Sequence, residues 1–194
     1  CEPAHPVDPS LILSVGIQLP RKGHDVLLKG LAGITDLNWQ AKIVGAPLDA
    51  VYAQELENLC LSLGLADRVT FKGQIGHDEL GVLYRAASVF ALATRFEGYG
   101  MVFDEALVHG LPIISCAAGA VPDTVPTDAG LLVPPDAPKA FADALRQVLS
   151  DPDACQTLAI AAQAAGHALP SWQDTGAIAA AALAAVTEEQ APAP

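Results

Sequence analysis

Short apolar runs alternate along this chain with longer segments whose apolar residues recur at helical spacing, and few folds accommodate that order. The apolar runs have the length and composition of β-strands and occupy residues 11–16, 40–45, 69–73, 88–93, 112–116 and 130–134. Strands that are largely apolar and are separated by helices predict a parallel sheet with helices on both faces. The expected fold is therefore α/β: a Rossmann-like, three-layer α/β/α domain with a parallel sheet of about six strands.

Composition limits the functions that the chain can have. Apolar residues make up 52% of the 194 residues, but no uninterrupted apolar stretch reaches the roughly 18 residues of a membrane span. The net charge is −12, with 10 Lys and Arg against 22 Asp and Glu. Because non-specific nucleic-acid binding needs a basic surface, nucleic acid is not an expected partner. A phosphate ligand stays compatible with this charge, since local cations and backbone amides can hold it.

In an open parallel sheet the ligand binds outside the carboxyl ends of the strands, so the loops after the predicted strands are the candidate sites. The first of these loops, "GIQLPRKGHD", brings Arg21 and Lys22 to the start of a helix, where cations and free amides suit an anion. On this loop alone, a phosphate site and a solvated turn are equally good interpretations. The loop is not a Walker loop, and the absence of Gly-x-Gly-x-x-Gly after a strand disfavours nicotinamide or flavin chemistry.

The loop after the fourth predicted strand, "RFEGYGM", contains Glu97, and Glu105 follows on the next helix. Gly98 and Gly100 permit unusual backbone angles and the close approach of a ligand. If the helix begins near Met101, its first free N–H groups point into the same crevice and suit a diphosphate. Carboxylates repel phosphate, so their natural partners are hydroxyl groups of a ribose or a sugar ring, and a nucleotide-sugar offers both. The plainer alternative is that Glu105 is an ordinary exposed helix residue.

The remaining polar candidates are weaker. The turn "SCAAGAVPDTV" after the fifth predicted strand either makes a tight connection or supplies amides to a ligand near Gly119. His24 and His77 are expected to cap helices. The five histidines are well separated and show no metal-ligand spacing, so no metal site is expected.

Two long segments of the chain resemble a known protein family. The segments "PRKGHDVLLKGLA" and "RVTFKGQIGHDELGVLYRAASVFALATRFEGYGMVFDEALVHGLP" closely resemble retaining glycosyltransferases of the GT-B fold, family-4 type. The resemblance extends over about residues 10–185, and its most specific part is the pair Glu97 and Glu105, separated by seven residues. Family members have two Rossmann-like domains that face a cleft, an amino-terminal one for the acceptor and a carboxy-terminal one for the nucleotide-sugar donor. This chain resembles the second domain.

The resemblance implies a division of the chain into three parts. Residues 1–9 would be a linker from a missing amino-terminal acceptor domain, and residues 10–170 the nucleotide-sugar donor-binding domain. Residues 171–194 would form a carboxy-terminal helix and a frayed tail. That helix resembles the segment that crosses back to the first domain.

Roles for individual residues follow from the same resemblance. Glu97 would contact hydroxyls of the donor sugar near the reacting carbon, Glu105 would bind the ribose, and Lys22 would hold the diphosphate. Glu97 and Lys22 are therefore the expected catalytic residues. The implied donor-binding residues are Gly16, Arg21, Lys22, Gly73, Gln74, Ile75, Glu97, Gly98, Tyr99, Gly100, Met101, Val102 and Glu105.

The resemblance also implies roles for two backbone segments, and the sequence departs from the family pattern at one residue. The backbone of residues 98–102 would contact the diphosphate, and residues 73–75 would line the base pocket. Ile17 stands where many family members have an arginine that pairs with the later lysine on the diphosphate. Arg21, next to Lys22, is the candidate replacement.

The implied reaction is transfer of a glycosyl group from a UDP- or GDP-sugar to a glycan, lipid or small-molecule acceptor. It would proceed with retention of anomeric configuration and without a cofactor or metal ion. The full-length protein would be cytoplasmic, and it is open whether the missing domain makes peripheral contact with the inner face of the membrane. This fragment alone would be inactive. Three other functions stay open: a non-catalytic nucleotide-binding module, a sugar-nucleotide epimerase of GT-B architecture, and a glycogen- or starch-synthase-like polymerase.

Overall fold

The computed structural model describes residues 9–189 and shows one six-stranded sheet with helices on both faces. The strands are β1 (Ser10–Val15), β2 (Trp39–Val44), β3 (Val69–Gly73), β4 (Val89–Leu92), β5 (Ile113–Cys116) and β6 (Gly130–Val133). Every neighbouring pair is parallel, and the order across the sheet is β3-β2-β1-β4-β5-β6. The predicted fold is confirmed, and each predicted strand is found with ends that differ by at most one residue.

The helices of the described residues connect and cover these strands. They are α1 (His24–Ala32), α2 (Ala50–Ser62), α3 (His77–Ala86), α4 (Met101–Val108), α5 (Val121–Thr124), α6 (Pro138–Ser150), α7 (Pro152–Ala168) and α8 (Trp172–Glu189). A 3-10 helix, Pro20–Lys22, precedes α1. None of these helices is both long enough and apolar enough to cross a membrane. Residues 1–8 of the predicted linker and the tail after residue 189 lie outside the described residues, and the domain boundaries stay predictions.

The core consists of two apolar layers, one on each face of the sheet, because successive side chains of a strand point to opposite faces. On β1, Ile12 packs into one layer with residues of α1, α2 and α6. Leu13 packs into the other layer with residues of α3 and α4. All four residues of β4 are buried. Burial on both faces is the physical reason why these strands are continuous apolar runs in the sequence.

The position of the candidate site follows from a reversal in the strand order. β1 leads to β2 and β3 on one side, and the chain then crosses back so that β4 lies beside β1 on the other side. The helices that follow these two strands, α1 and α4, pack on opposite faces of the sheet. A crevice therefore opens between the loops at the carboxyl ends of β1 and β4, which is where sheets of this type bind ligands.

Three helices that begin at this edge of the sheet have a glycine at the N-cap. The glycines are Gly23 before α1, Gly76 before α3 and Gly100 before α4, and no side chain caps any of these helices. The predicted capping roles of His24 and His77 are wrong, because each is the first residue inside its helix, whereas a cap precedes the first turn. Uncapped helix starts leave backbone N–H donors available beside the crevice.

Candidate functional site

Two charged side chains from distant parts of the chain meet at the crevice. Lys22 ends the 3-10 helix after β1, Glu97 lies in the loop after β4, and the Lys22 ammonium donates a hydrogen bond to Oε1 of Glu97. Only 7% of Lys22 and 6% of Glu97 is exposed. The structure thus places the two predicted catalytic residues in contact as a buried ion pair, in which each charge depends on the other for stabilisation.

The position of Lys22 depends on the close approach of its loop to the end of β4. Gly23 has a φ of 64°, in the left-handed region, and a Cβ at this residue would lie 1.9 Å from the carbonyl oxygen of Ala93. The Arg21 carbonyl accepts hydrogen bonds from the Thr94 hydroxyl at 3.1 Å and from the backbone N–H after it at 2.8 Å. Because only glycine fits at residue 23, the loop after β1 can lie directly against the end of β4.

Glu97 is held from the other side by the turn between β5 and α5. Gly119 has a φ of 57°, and a Cβ at this residue would lie 2.2 Å from the Glu97 carbonyl oxygen. The backbone amide of Ala120 donates a hydrogen bond to that same oxygen at 2.9 Å. This turn was expected either to make a tight connection or to supply amides to a ligand near Gly119. In the structure, the amide of Ala120 fixes the backbone of Glu97.

A cavity of about 560 Å³ opens at this edge of the sheet. Predicted donor-binding residues that contribute to its lining are Gly16, Arg21, Lys22, Gln74, Ile75 and Val102. Ile17, Leu48 and Leu80 add apolar surface to the wall. The cavity therefore combines an apolar surface with two cationic side chains from one loop, which suits a flat ring joined to a phosphate.

The predicted glycine loop, residues 98–101, lies outside the lining of this cavity. A Cβ at Gly98 would meet no atom within 4 Å, so open space surrounds this part of the backbone. Tyr99 and Met101 are exposed over 57% and 67% of their surface. The loop therefore leaves the uncapped start of α4 accessible, as binding of an anion by backbone amides requires.

Glu105 is exposed and is not part of the cavity lining, although Val102, three residues earlier on α4, is. Oε2 of Glu105 accepts a hydrogen bond of 2.8 Å from the Tyr84 hydroxyl. Glu105 is therefore more than an unpartnered surface residue, because a side chain from α3 holds its carboxylate. Nothing in the sequence pattern pointed to Tyr84.

Gly73 shapes the loop that was predicted to contact the base. It ends β3 with a φ of 63°, and its carbonyl accepts a hydrogen bond of 2.8 Å from the N–H of Gly45. The next two residues, Gln74 and Ile75, reach the cavity. The predicted roles of these residues in donor binding stay predictions, while their places around one crevice are now known.

Comparison with known protein families shows the family to which the chain belongs. A family model described as "Glycosyl transferases group 1" matches residues 2–165. The chain belongs to the group 1 glycosyltransferases. This glycosyltransferase domain is 36% identical over 161 residues to a GDP-mannose-dependent alpha-(1-6)-phosphatidylinositol monomannoside mannosyltransferase of Mycobacterium tuberculosis, a match that covers 77% of this chain and 40% of that protein.

Two solved structures resemble the glycosyltransferase domain. The sucrose-phosphate synthase of Thermosynechococcus elongatus matches with a TM-score of 0.82 and 34% identity, covering 92% of this chain and 46% of that one. Anabaena HepE in complex with UDP and glucose matches with a TM-score of 0.77 and 26% identity, covering 82% of this chain and 44% of that one. The chain thus spans less than half the length of these relatives.

Arg95, which was not among the predicted site residues, joins the loop after β4 to the start of α1 and to the loop after β6 in the glycosyltransferase domain. It donates two hydrogen bonds of 2.9 Å to the carboxylate of Asp25 on α1, and one of 2.7 Å to Asp136 after β6. Burial opposes ionisation of Asp25, but the hydrogen bonds and the charge of Arg95 lower the pKa of this carboxyl group. The planar guanidinium suits this bidentate contact and thereby ties the loops around the crevice to one another.

His24, two residues after Lys22, is fully buried in the glycosyltransferase domain. Neither of its ring nitrogens has a hydrogen-bond partner among the described residues. Burial and the charge of Lys22 lower the pKa of His24 to about 4, while Asp25 acts in the opposite direction. The imidazole is therefore neutral in the folded domain near neutral pH, because protonating it would place an unpaired charge in the core.

We expect the domain to lose stability as the pH falls from 6.5 to about 4 because of His24. The unfolded chain has the ordinary histidine pKa of 6.5 and the folded domain a pKa of about 4, so the unfolded state binds more protons across this range. His24 makes its full contribution to the free energy of unfolding at pH values above its pKa in the unfolded chain. The loss of this contribution amounts to about 3 kcal/mol below the folded pKa, at about 1.4 kcal/mol per pKa unit.

Urea unfolding of the wild type and of His24→Leu across this pH range measures the effect. His24→Leu should lose less stability on acidification than the wild type, because leucine fills a similar volume without titrating. His77→Leu is the matched control, since His77 is exposed at the start of α3, and it should keep the wild-type pH dependence. Equal slopes for the wild type and His24→Leu would assign the acid sensitivity to other groups.

Proposed function

We propose that this chain is the donor-binding domain of a retaining glycosyltransferase and binds a UDP- or GDP-sugar at the crevice between β1 and β4. The observation that carries the proposal is the buried contact between Lys22 and Glu97 beside the cavity. A cation suited to a phosphate and a carboxylate suited to sugar hydroxyls lie together at the expected ligand edge. Membership in the group 1 glycosyltransferases supports the assignment, and retention rests on the resemblance of the motif from Glu97 to Glu105.

The diphosphate would bind Lys22 and the first amides of α4. Arg21 is exposed and lines the same cavity as Ile17, which supports its role as a second cation where Ile17 provides no charge. Local cations matter because the chain carries a net charge of −12 and repels an anionic ligand at long range. During transfer, negative charge develops on the leaving phosphate. Lys22 would stabilise that charge from a position already fixed by the glycine that follows it.

Glu97 would hold the donor sugar without giving up Lys22. A carboxylate has about four acceptor sites and an ammonium has three donors. Lys22 occupies one site on Oε1 of Glu97, and the Thr94 hydroxyl lies 3.5 Å from the same oxygen. The remaining acceptor sites could take hydroxyls of the sugar while the other Lys22 protons contact the phosphate. This arrangement would place the sugar next to its leaving group.

The nucleoside would occupy the cavity. Ile75 and Leu80 offer apolar surface to a base, and Gln74 offers an amide for hydrogen bonds. Glu105, three residues after Val102 of the lining, would take a ribose hydroxyl. HepE was solved with UDP and glucose, and the mycobacterial relative is GDP-mannose-dependent. Uracil and guanine are therefore both candidate bases of the donor.

The acceptor would be a glycan, a lipid or a small molecule bound by an amino-terminal domain of a longer protein. Relatives more than twice as long as the matched segment support a second domain. Transfer would need no cofactor or metal ion, since the cations of the chain serve the leaving phosphate. A cytoplasmic location, with contact to the inner face of the membrane through the second domain, completes the proposal.

Isothermal titration calorimetry of this chain with UDP, GDP and their sugars tests the proposal. We expect saturable binding of at least one nucleoside diphosphate, and roughly tenfold weaker binding of the matching monophosphate, because it lacks one of the phosphates that the two cations hold. Failure to bind any of these nucleotides at millimolar concentration would contradict the donor site. Turnover of a nucleotide-sugar by the chain alone would contradict the need for an acceptor domain.

A further inference from the structure

The buried hydroxyl of Tyr84 is bonded to the exposed carboxylate of Glu105. Tyr84 lies on α3 and is 2% exposed, and its hydroxyl lies 2.8 Å from Oε2 of Glu105 on α4. A longer contact of 3.5 Å joins the same hydroxyl to the carbonyl oxygen of Val102. Since the hydroxyl has one proton, the shorter contact to a charged acceptor is the stronger of the two.

Aromatic packing fixes the ring of Tyr84. The ring stacks on His109 with a centroid distance of 4.9 Å and an interplanar angle of 17°, and on Phe90 at 6.2 Å and 19°. Nδ1 of His109 also lies 2.8 Å from the carbonyl oxygen of Glu105. The Tyr84 hydroxyl therefore occupies one position, and it restricts a glutamate side chain that would otherwise sample several rotamers.

Tyr84 and Glu105 each lie about one helical turn from a residue that lines the cavity. Leu80, four residues before Tyr84 on α3, and Val102, three residues before Glu105 on α4, both line it. Residues three or four apart share a helix face, and helical side chains lean toward the N-terminus of their helix. Because α3 and α4 begin at the carboxyl edge of the sheet, the Glu105 carboxylate leans toward the cavity.

The Tyr84 hydroxyl acts as a permanent donor. Burial and the Glu105 carboxylate hold the pKa of Tyr84 well above its usual range. The hydroxyl therefore stays protonated near neutral pH, and Oε2 of Glu105 stays engaged. Oε1 of Glu105, to which no described residue donates a hydrogen bond, is the oxygen left for a ligand.

We propose that Tyr84 is a positioning residue for ribose recognition: by holding Oε2 of Glu105, it directs Oε1 toward a ribose hydroxyl of the donor nucleotide. The inference rests on the proposed donor-binding function of the crevice. Without the Tyr84 hydroxyl, Glu105 must lose rotamer freedom when the nucleotide binds, and this ordering weakens its contact with the ribose. A tyrosine that merely joined α3 to α4 would have no selective effect on the ribose.

Tyr84→Phe tests the proposal because it removes the hydroxyl and keeps the stacked ring. Calorimetry with UDP and GDP, and with their 2′-deoxy and 3′-deoxy counterparts, measures how strongly the site distinguishes each ribose hydroxyl. We expect the wild type to bind the complete nucleotide roughly tenfold tighter than the analogue that lacks the recognised hydroxyl, and this ratio to fall to about twofold in Tyr84→Phe. Affinity for the deoxy analogue should be the same in both proteins.

Tyr52→Phe is the matched control. Tyr52 is also buried, and its hydroxyl donates a hydrogen bond of 3.0 Å to a carboxylate, Oδ1 of Asp25. This variant should change the affinities for a nucleotide and for its deoxy analogue by the same factor. In a Glu105→Ala background, Tyr84→Phe should leave the ratio unchanged, since the carboxylate that Tyr84 positions is gone.

The outcomes separate the inference from the function on which it rests. An equal loss of affinity for the nucleotide and its deoxy analogue in Tyr84→Phe, or an unchanged ratio, would overturn the positioning role and leave the donor site in place. A wild type that does not distinguish either deoxy analogue would remove the ribose role of Glu105. A wild type that binds none of the nucleotides would overturn the donor site and the inference together.

Discussion

Replacing Lys22 by methionine should abolish measurable binding of UDP and GDP and lower the free energy of unfolding by about 3–5 kcal/mol. Binding is lost because the diphosphate no longer meets the one buried cation of the proposed site. Stability is lost because Glu97, which is 6% exposed and paired with Lys22, would be left in the protein interior without its partner. Calorimetry measures the first effect and urea unfolding the second.

A double variant separates these two effects. Lys22→Met combined with Glu97→Gln removes both charges at similar volume, so most of the lost stability should return while nucleotide binding stays absent. Arg21→Met is the control for a neighbouring but exposed cation: it should change stability by no more than about 0.5 kcal/mol and weaken nucleotide binding only in part. Wild-type affinity for UDP and GDP in Lys22→Met would remove Lys22 from the donor site.

The fold could be predicted from the sequence because of where the apolar residues lie. Strands such as β4, with every residue buried, are apolar on both faces and produce continuous runs that need no structure to recognise. The same reasoning places the loops after the strands at one edge of the sheet. Lys22 and Glu97, each predicted from its place after a strand, are found at that edge in direct contact.

The contacts that support the candidate site could not be read from the sequence. Lys22 and Glu97 are 75 residues apart, and Arg95 bridges partners that are 70 and 41 residues away. Partners at such separations leave no periodic signal, because their meeting depends on how several loops fold against one another. Tyr84 has the pattern of an ordinary core residue of an amphipathic helix, and only the folded arrangement of α3 and α4 reveals its bond to Glu105.

The failed prediction that His24 caps α1 has a local cause. An N-cap residue has extended backbone and presents its side chain to the first amides of the helix. Here Gly23 ends the 3-10 helix with a φ of 64°, and α1 begins immediately after it. His24 therefore already lies in the first helical turn, where its side chain packs into the core. A sequence does not distinguish a glycine held in the left-handed region from one that is merely flexible.

Gly119→Ala should destabilise the domain and weaken nucleotide binding together, although Gly119 does not line the cavity. An alanine in the left-handed region costs about 1–2 kcal/mol. Overlap with the Glu97 carbonyl oxygen, which lies 2.2 Å from the position of a Cβ, adds a further cost, of about 1–3 kcal/mol for overpacking. Relief of that overlap must move the backbone of Glu97 or the turn that holds it. We expect urea unfolding to show a loss of about 2–5 kcal/mol, and calorimetry at least roughly tenfold weaker binding of UDP or GDP.

Gly64 offers a matched control, because it has a φ of 70° and a Cβ there would meet no atom within 4 Å. Gly64→Ala shares the backbone cost without the overlap, so it should be less destabilised than Gly119→Ala and should bind nucleotides with wild-type affinity. Equal stability and equal affinity in the two variants would mean that the turn after β5 does not hold Glu97. A joint loss in Gly119→Ala alone would show that nucleotide affinity depends on a residue outside the cavity lining, through the backbone of Glu97 that this turn holds.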